Sequence, residues 1–233
     1  MWSLSPGEIE ALLLSLKVAL WSVTASLPVA VALAWVLSRL TFPGRGLLDA
    51  VVHLPLVLPP VVVGYFLLIL FGRRGPIGAF LEQAFGFTFA FRWTGAALAC
   101  AVMGLPLLVR AVRQSFDAVD RGLEEAAATL GAAPAWVFAS VTLPLILPGI
   151  VTGMLLSFAR SLGEFGATIT FVSNIPGETQ TLPLAIYSYT QVPGGDAQAL
   201  RLCVLSILLS LAALLSSEFL LRRANVRAAG RDA

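Results

Sequence analysis

From Val18 to Ser38 the chain runs without a charged side chain, and it does so again from Leu54 to Gly72, Trp93 to Val109 and Leu202 to Ser217. Each run is close to the roughly 20 residues that a helix needs to cross a bilayer. Of the 233 residues, 58% are hydrophobic and only 12% charged, about half the charged share of a typical soluble domain, roughly 25%. The mean hydropathy is +0.89. Lipid in place of water over much of the surface accounts for all of this. The chain is therefore read as an all-α integral membrane protein.

Five crossings are expected. The first covers about Ala11 to Ser38, and the linker RLTFPGRG follows with its Pro-Gly turn signal. The second covers about Leu48 to Phe71. Pro55, Pro59 and Pro60 remove backbone donors there, so a kink packed against neighbouring helices is expected. Residues 72 to 92 are too polar and Gly-rich to span and read as an external loop with an interfacial helix. The third crossing runs from about Trp93 to Val112. A fourth apolar stretch, about Leu143 to Val172, is too long for one straight span and contains Arg160 and Glu164. Residues 174 to 198 read as a second loop, before a last span from about Leu200 to Leu221.

Basic residues orient such a chain, because they collect on the cytoplasmic side. Arg39, Arg45, Arg110, Arg113, Arg121, Arg222, Arg223, Arg227 and Arg231 fall on one side of the five crossings, and Arg73, Arg74, Arg92 and Arg201 on the other. The first side is expected to be cytoplasmic, with the C-terminus there and the N-terminus outside. No basic residue precedes Lys17, so a cleaved signal peptide is not expected. The net charge of +2 follows from these loops and the tail and does not imply a nucleic-acid partner. Cys100 and Cys203 lie in apolar spans, where cysteine acts as a small hydrophobe.

One block breaks the apolar pattern: EEAAATLGAAPAWVFASVTLPLILPG, residues 124 to 149. Asp117 or Asp120 can cap a helix here, and Glu124 and Glu125 sit early enough to favour its dipole. Leu123, Ala127 and Leu130 recur on one face, Gly131 supplies a stop, and Pro134 suits the first turn of the next helical piece. The expected form is a short cytoplasmic helix, a sharp turn, and a second short helix re-entering the membrane.

The spacing narrows the reading. Glu125-Ala126-Ala127, three residues, Gly131, nine residues, then Val141-Thr142-Leu143-Pro144 resembles the signature loop of ABC-importer permeases, with Val141 in place of isoleucine as the one departure. The stretches HLPLVLPPVVVGYFLLILFGRRGPIG and FARSLGEFGATITFVSNIPGETQTLP are similar to those of molybdate permeases, and the likeness covers about residues 11 to 222. It implies a single permease domain over residues 1–233 in a bacterial inner membrane, with a cytoplasmic coupling loop at 117–144. It further implies a homodimeric pore, two cytoplasmic ATPase subunits and an extracytoplasmic oxyanion-binding protein. The coupling residues carried over are Glu124, Glu125, Ala126, Ala127, Gly131, Leu143 and Pro144. A sulfate or tungstate permease of the same superfamily is the near alternative; a passive anion channel would explain the spans but not the spaced motif.

Other chemistry lacks its residues. A P-loop needs a lysine in its glycine-rich cradle, and the one lysine, Lys17, lies in a span outside any such motif. ATP and Mg are thus expected on a partner ATPase, with no cofactor in this chain. No metal-ligating spacing occurs, and His53, the one histidine, has no evident catalytic partner, so an enzyme is not expected. Arg160 and Glu164, one helical turn apart, are the ionisable pair placed to meet an anion inside the membrane. Ser157, Thr168 and Thr170 are candidate neutral donors beside them.

Overall fold

The computed structural model describes residues 4–229, with side chains described through Ser216. Among the described residues the secondary structure is helical throughout. Helix α1 is Pro6–Arg39, about 50 Å long at 1.5 Å per residue. It begins with a capping box in which Ser5 and Glu8 satisfy each other's backbone donors, and Pro6 occupies a first-turn position where no donor is needed. Helix α5, Trp93–Ala118, lies against α1, and α8, Leu143–Leu162, lies against α5. Several of the fully buried residues on these helices are small: Ala19, Ala30 and Ala34 on α1, Ala96 and Ala99 on α5, beside larger ones such as Leu37, Leu108 and Phe116. Small side chains let helices approach closely where lipid supplies no hydrophobic drive for association.

The second expected span is broken more sharply than a kink. Helices α2, Arg45–Val57, and α3, Pro60–Phe71, meet at 113°. Pro55 sits inside α2 without ending it. The break falls at Leu58, which is extended as a residue before proline tends to be, while Pro60 opens α3. Counting that pair as one, five segments are long and apolar enough to cross a membrane: α1, α2–α3, α5, Pro134–Leu162 and Asp196–Ser216.

Helix α4, Pro76–Phe85, lies within residues 72 to 92, where a short helix is expected. The third span is longer than expected, continuing to Ala118. Two short helices, α6 (Arg121–Thr129) and α7 (Pro134–Val137), lead into α8 through a π-helical segment, Phe138–Thr142. The long fourth stretch ends as a span at Leu162; after Gly163 a separate helix, α9 (Gly166–Val172), packs on α3. Residues 174 to 198 are not all loop: α10, Leu182–Thr190, buries Leu182, Leu184 and Ala185, with Pro183 in its first turn. The polar and glycine-rich flanks of that segment hide an apolar face of about two turns. Helix α11, Asp196–Ala229, is the last span. Arg222, Arg223 and Arg227 lie where the backbone alone is described, and Arg231 lies outside the described residues.

The end of the bundle where α1 begins is stapled by charge. Glu8 is fully buried; its Oε1 accepts from Arg201 Nε at 3.0 Å, and its Oε2 accepts from Ser5 N at 2.6 Å. The α3–α9 contact is a close backbone approach. A Cβ on Gly64 would stand 2.6 Å from the Ala167 carbonyl oxygen and 2.9 Å from its Cα, backbone atoms that cannot rotate away. Gly64→Ala should therefore cost about 1–3 kcal/mol, read as a lowered midpoint for thermal unfolding in detergent. An unchanged midpoint would mean that α9 shifts freely.

Candidate functional site

The polar block is built as a clip projecting from the bundle. Asp120 caps α6, its Oδ1 accepting from Gly122 N at 2.9 Å. Asp117, the other candidate cap, instead ends α5 and accepts from the Ser38 hydroxyl. Gly131 closes α6 in the left-handed region at φ +84°, while its amide and that of Ala132 donate to Ala128 and Ala127. Pro134 then opens α7. Leu143 N donates to Phe138 O, the wide ring of a π turn, a rare form often found at functional sites.

The clip presents an apolar face to water. Leu130 is 89% exposed, Trp136 67% and Leu123 51%, and Glu125 and Ala126 are exposed beside them. Leu123 lies on α6, Leu130 caps it and Trp136 lies on α7; large exposed apolar side chains on one short polar segment read as a surface awaiting a partner. Glu124 points the other way. Its Oε1 accepts from Arg39 Nη2 at 3.0 Å and from Thr142 Oγ1 at 2.6 Å, and its side chain is 23% exposed. Ala127 is half-buried. Leu143 and Pro144, the far end of the motif, begin the membrane helix; Leu143 packs against the cluster that includes Ala30, Val112 and Phe116. The seven residues expected to couple are thus divided: Glu125 and Ala126 on an exposed face, Glu124 in an inward tie, Gly131 at the turn, Leu143 and Pro144 at the entry to α8, with Ala127 half-buried between.

At the opposite end of α8, Arg160 Nη1 stands 2.7 Å from Glu164 Oε2, with side-chain exposures of 30% and 1%. The arginine N–H is not aligned on that oxygen, so the contact is an ion pair without a directed hydrogen bond. Glu164 Oε1 accepts from Ala167 N at 2.8 Å and so holds the first turn of α9. One carboxylate therefore bridges the break between the two helices and faces the arginine. The neighbouring hydroxyls are less available. Thr168 Oγ1 donates to Phe165 O and Thr170 Oγ1 to Gly166 O, both at 2.8 Å. Ser157 is fully buried, with its Oγ unpartnered and lying 2.3 Å from where a Cβ on Gly104 would stand.

Two polar groupings were not visible as sites in the sequence. Arg39 and Thr142 are separated from Glu124 by 85 and 18 residues, and nothing local pairs them. Arg121, three residues before Glu124 on the same helix, offers a local partner instead, so residue order gives no signal of the distant ones. His53 lies beside Asp49, Arg110, Arg113 and Asp117 around a cavity of about 360 Å³. Its Nδ1 is 2.9 Å from Asp49 O, and Arg113 Nη1 donates to Asp49 Oδ1 at 3.0 Å. Among the described residues no group of three or more metal-ligating side chains gathers.

Residues 26–226 match the profile of the family described as binding-protein-dependent transport system inner membrane component. The chain belongs to that family. It is 60% identical over 225 residues to the molybdenum transport system permease protein ModB of Escherichia coli (strain K12), covering 97% of this chain and 98% of the relative. It is 57% identical over 216 residues to ModB of Haemophilus influenzae, covering 93% and 94%. Among solved structures, a bacterial alginate ABC transporter in complex with alginate-pentasaccharide-bound periplasmic protein superposes with a TM-score of 0.70 at 16% identity, covering 94% of this chain and 80% of that one. The shared fold is that of an ABC-importer membrane subunit.

The turn at Gly131 is the part of the clip most sensitive to substitution. A methyl group there meets open space, so Gly131→Ala costs only backbone strain, about 1–2 kcal/mol. Gly131→Pro removes the amide that donates to Ala128 and fixes φ near the opposite sign. Hydrogen exchange should quicken across residues 126 to 132 modestly in the first variant and strongly in the second. Equal protection in all three chains would show that the turn is not held by this geometry.

Proposed function

We propose that this chain is the membrane-spanning permease subunit of an ATP-driven importer that moves molybdate into the cytoplasm by alternating access. The observation that carries the reading is the Glu-Ala-Ala…Gly spacing on an exposed clip with an apolar face, in a chain 60% identical to a molybdenum transport permease. The chain is a transport subunit and not an enzyme; a separate ATPase binds ATP and Mg and hydrolyses the nucleotide.

Two copies of the chain enclose the pathway. In support, α2 and α3 leave Leu47, Val57, Val61 and Phe66 more than half exposed on one chain, and five crossings are too few to wall an aqueous route. Each copy docks one ATPase through the outward face of residues 117 to 144, with Leu123, Glu125, Ala126, Leu130 and Trp136 meeting the partner. An oxyanion-binding protein delivers cargo at the opposite side. This arrangement places the N-terminus outside and the C-terminus in the cytoplasm, in keeping with the arginine distribution.

Arg160 faces the route near its outer end and compensates a passing dianion. Glu164 limits how tightly the anion is held, so that the cargo leaves. Ser157, Thr168 and Thr170 line the same segment; the bonds of Thr168 and Thr170 to local backbone would have to open for them to touch cargo, whereas the buried Ser157 Oγ is unpartnered.

The test is uptake into proteoliposomes holding this chain and its ATPase, with binding protein outside and ATP within. Molybdate should accumulate only when all components are present, and sulfate in excess should compete weakly. Uptake without nucleotide would favour a channel, and preferred accumulation of sulfate would favour the sulfate-type permease. In the same assay Arg160→Ala strands Glu164 unpaired, a change that costs about 3–5 kcal/mol for a fully buried pair and less here because Arg160 is partly exposed. It should therefore lose more activity than Arg160→Ala combined with Glu164→Ala. Wild-type uptake in all variants would remove the pair from the pathway.

A further inference from the structure

We infer that Glu124 is the positioning residue that carries movement of the docking clip into the membrane helices, and that it takes no part in docking itself. The inference rests on the reading of the clip as an ATPase-docking element. Glu124 and Glu125 are adjacent, yet they face opposite ways: Glu125 is exposed, whereas Glu124 turns its carboxylate toward the membrane side of the clip.

There one oxygen, Oε1, serves two donors from different spans. Arg39 is the last residue of α1 and is 12% exposed; Thr142 ends the π-helical segment that opens α8 and is buried. Hydrogen bonds to an ionised acceptor are roughly twice as strong as neutral ones. Among the described residues, these two bonds are the only side-chain polar links between α6 and any span.

Apolar packing reaches the bundle through Phe138 and Leu143, but between α6 and α1 it is interrupted. A cavity of about 640 Å³ separates the α1 face of Pro28, Val31 and Trp35 from the clip residues Ala128, Ala132 and Pro134, and the Arg39–Glu124 pair lies at its edge. Where apolar contact is missing, a force on α6 reaches α1 through the ion pair. The second bond reaches α8 at its π turn. A π turn has one extra residue in its ring, so the helix start can re-register there without breaking the ladder beyond it. A pull on Thr142 is therefore applied where α8 yields most easily, and α8 carries it some 30 Å to the Arg160–Glu164 break.

The experiment measures oxyanion transported per ATP hydrolysed in the assembled transporter, together with the amount of ATPase subunit that co-purifies. With Glu124→Ala the ATPase should still co-purify and hydrolyse ATP, but anion moved per ATP should fall about fivefold or more, the range of ordinary coupling between sites. Glu124→Gln keeps an acceptor oxygen and loses the charge, so it should fall less; it also serves if the alanine variant does not assemble. Exchange of the charges, Arg39→Glu with Glu124→Arg, should recover more transport per ATP than either single reversal. A wild-type ratio in assembled Glu124→Ala or Glu124→Gln would overturn the inference. So would loss of co-purifying ATPase in step with uptake, which would make Glu124 a docking residue. If the wild-type chain itself retains no ATPase, the docking reading fails and this inference falls with it.

Discussion

Lipid cannot hydrogen-bond a peptide group, and that constraint decides where polar residues stand in this protein. Inside a helix the backbone satisfies itself, so the difficulty is confined to helix ends and breaks. Several such places are closed by a carboxylate. Glu8 closes the start of α1 and reaches Arg201 on α11. Glu164 holds the start of α9 and faces Arg160. Asp120 caps α6, and Glu124 ties that helix to two spans. Each of the three glutamates is paired with an arginine, which suits a low-dielectric setting where a lone charge would be costly.

The same solution gives α8 two chemically different ends. At one end a π turn, a threonine and a shared carboxylate join it to an exposed clip; at the other, an ion pair bridges a break in the helix. Twenty residues separate these ends, about the thickness of a bilayer's hydrocarbon core. On the proposed function, a rigid rod between the docking surface and the charged break is what lets a partner's ATP move an anion. It requires no nucleotide chemistry from this chain.

Much of this was legible in residue order. Long charge-free runs gave the spans, because the length of a helix in a bilayer is set by thickness. The Asp, Ala, Gly and Pro pattern of residues 117 to 134 gave the clip, since caps and stops act locally. What sequence reading missed depends on distant partners or on the surroundings. Three prolines between Leu54 and Val61 announce a disturbance but not its angle of 113°, and α3 goes on to pack through Gly64 against Ala167, a partner distant in the chain. Helix α10 was hidden because its apolar face is short and its flanks are polar. Glu124 looked like a partner for the outside because its true partners lie 18 and 85 residues away. The hydroxyls of Thr168 and Thr170 looked free, yet a helical threonine readily returns its hydrogen bond to its own backbone.

The central claim is that the exposed face of residues 117 to 144 is where a nucleotide-hydrolysing partner sits. The most direct measurement is site-specific crosslinking from Leu130, the most exposed large apolar residue of the clip. Cys100 and Cys203 would be replaced, Leu130→Cys introduced, and a short thiol-reactive photocrosslinker attached before assembly with the ATPase. The account expects an adduct with the ATPase chain whose yield changes with bound nucleotide, and none from Val57→Cys in the bend between α2 and α3. Absence of the Leu130 adduct in a complex that still co-purifies, or equal adducts from both positions, would contradict it.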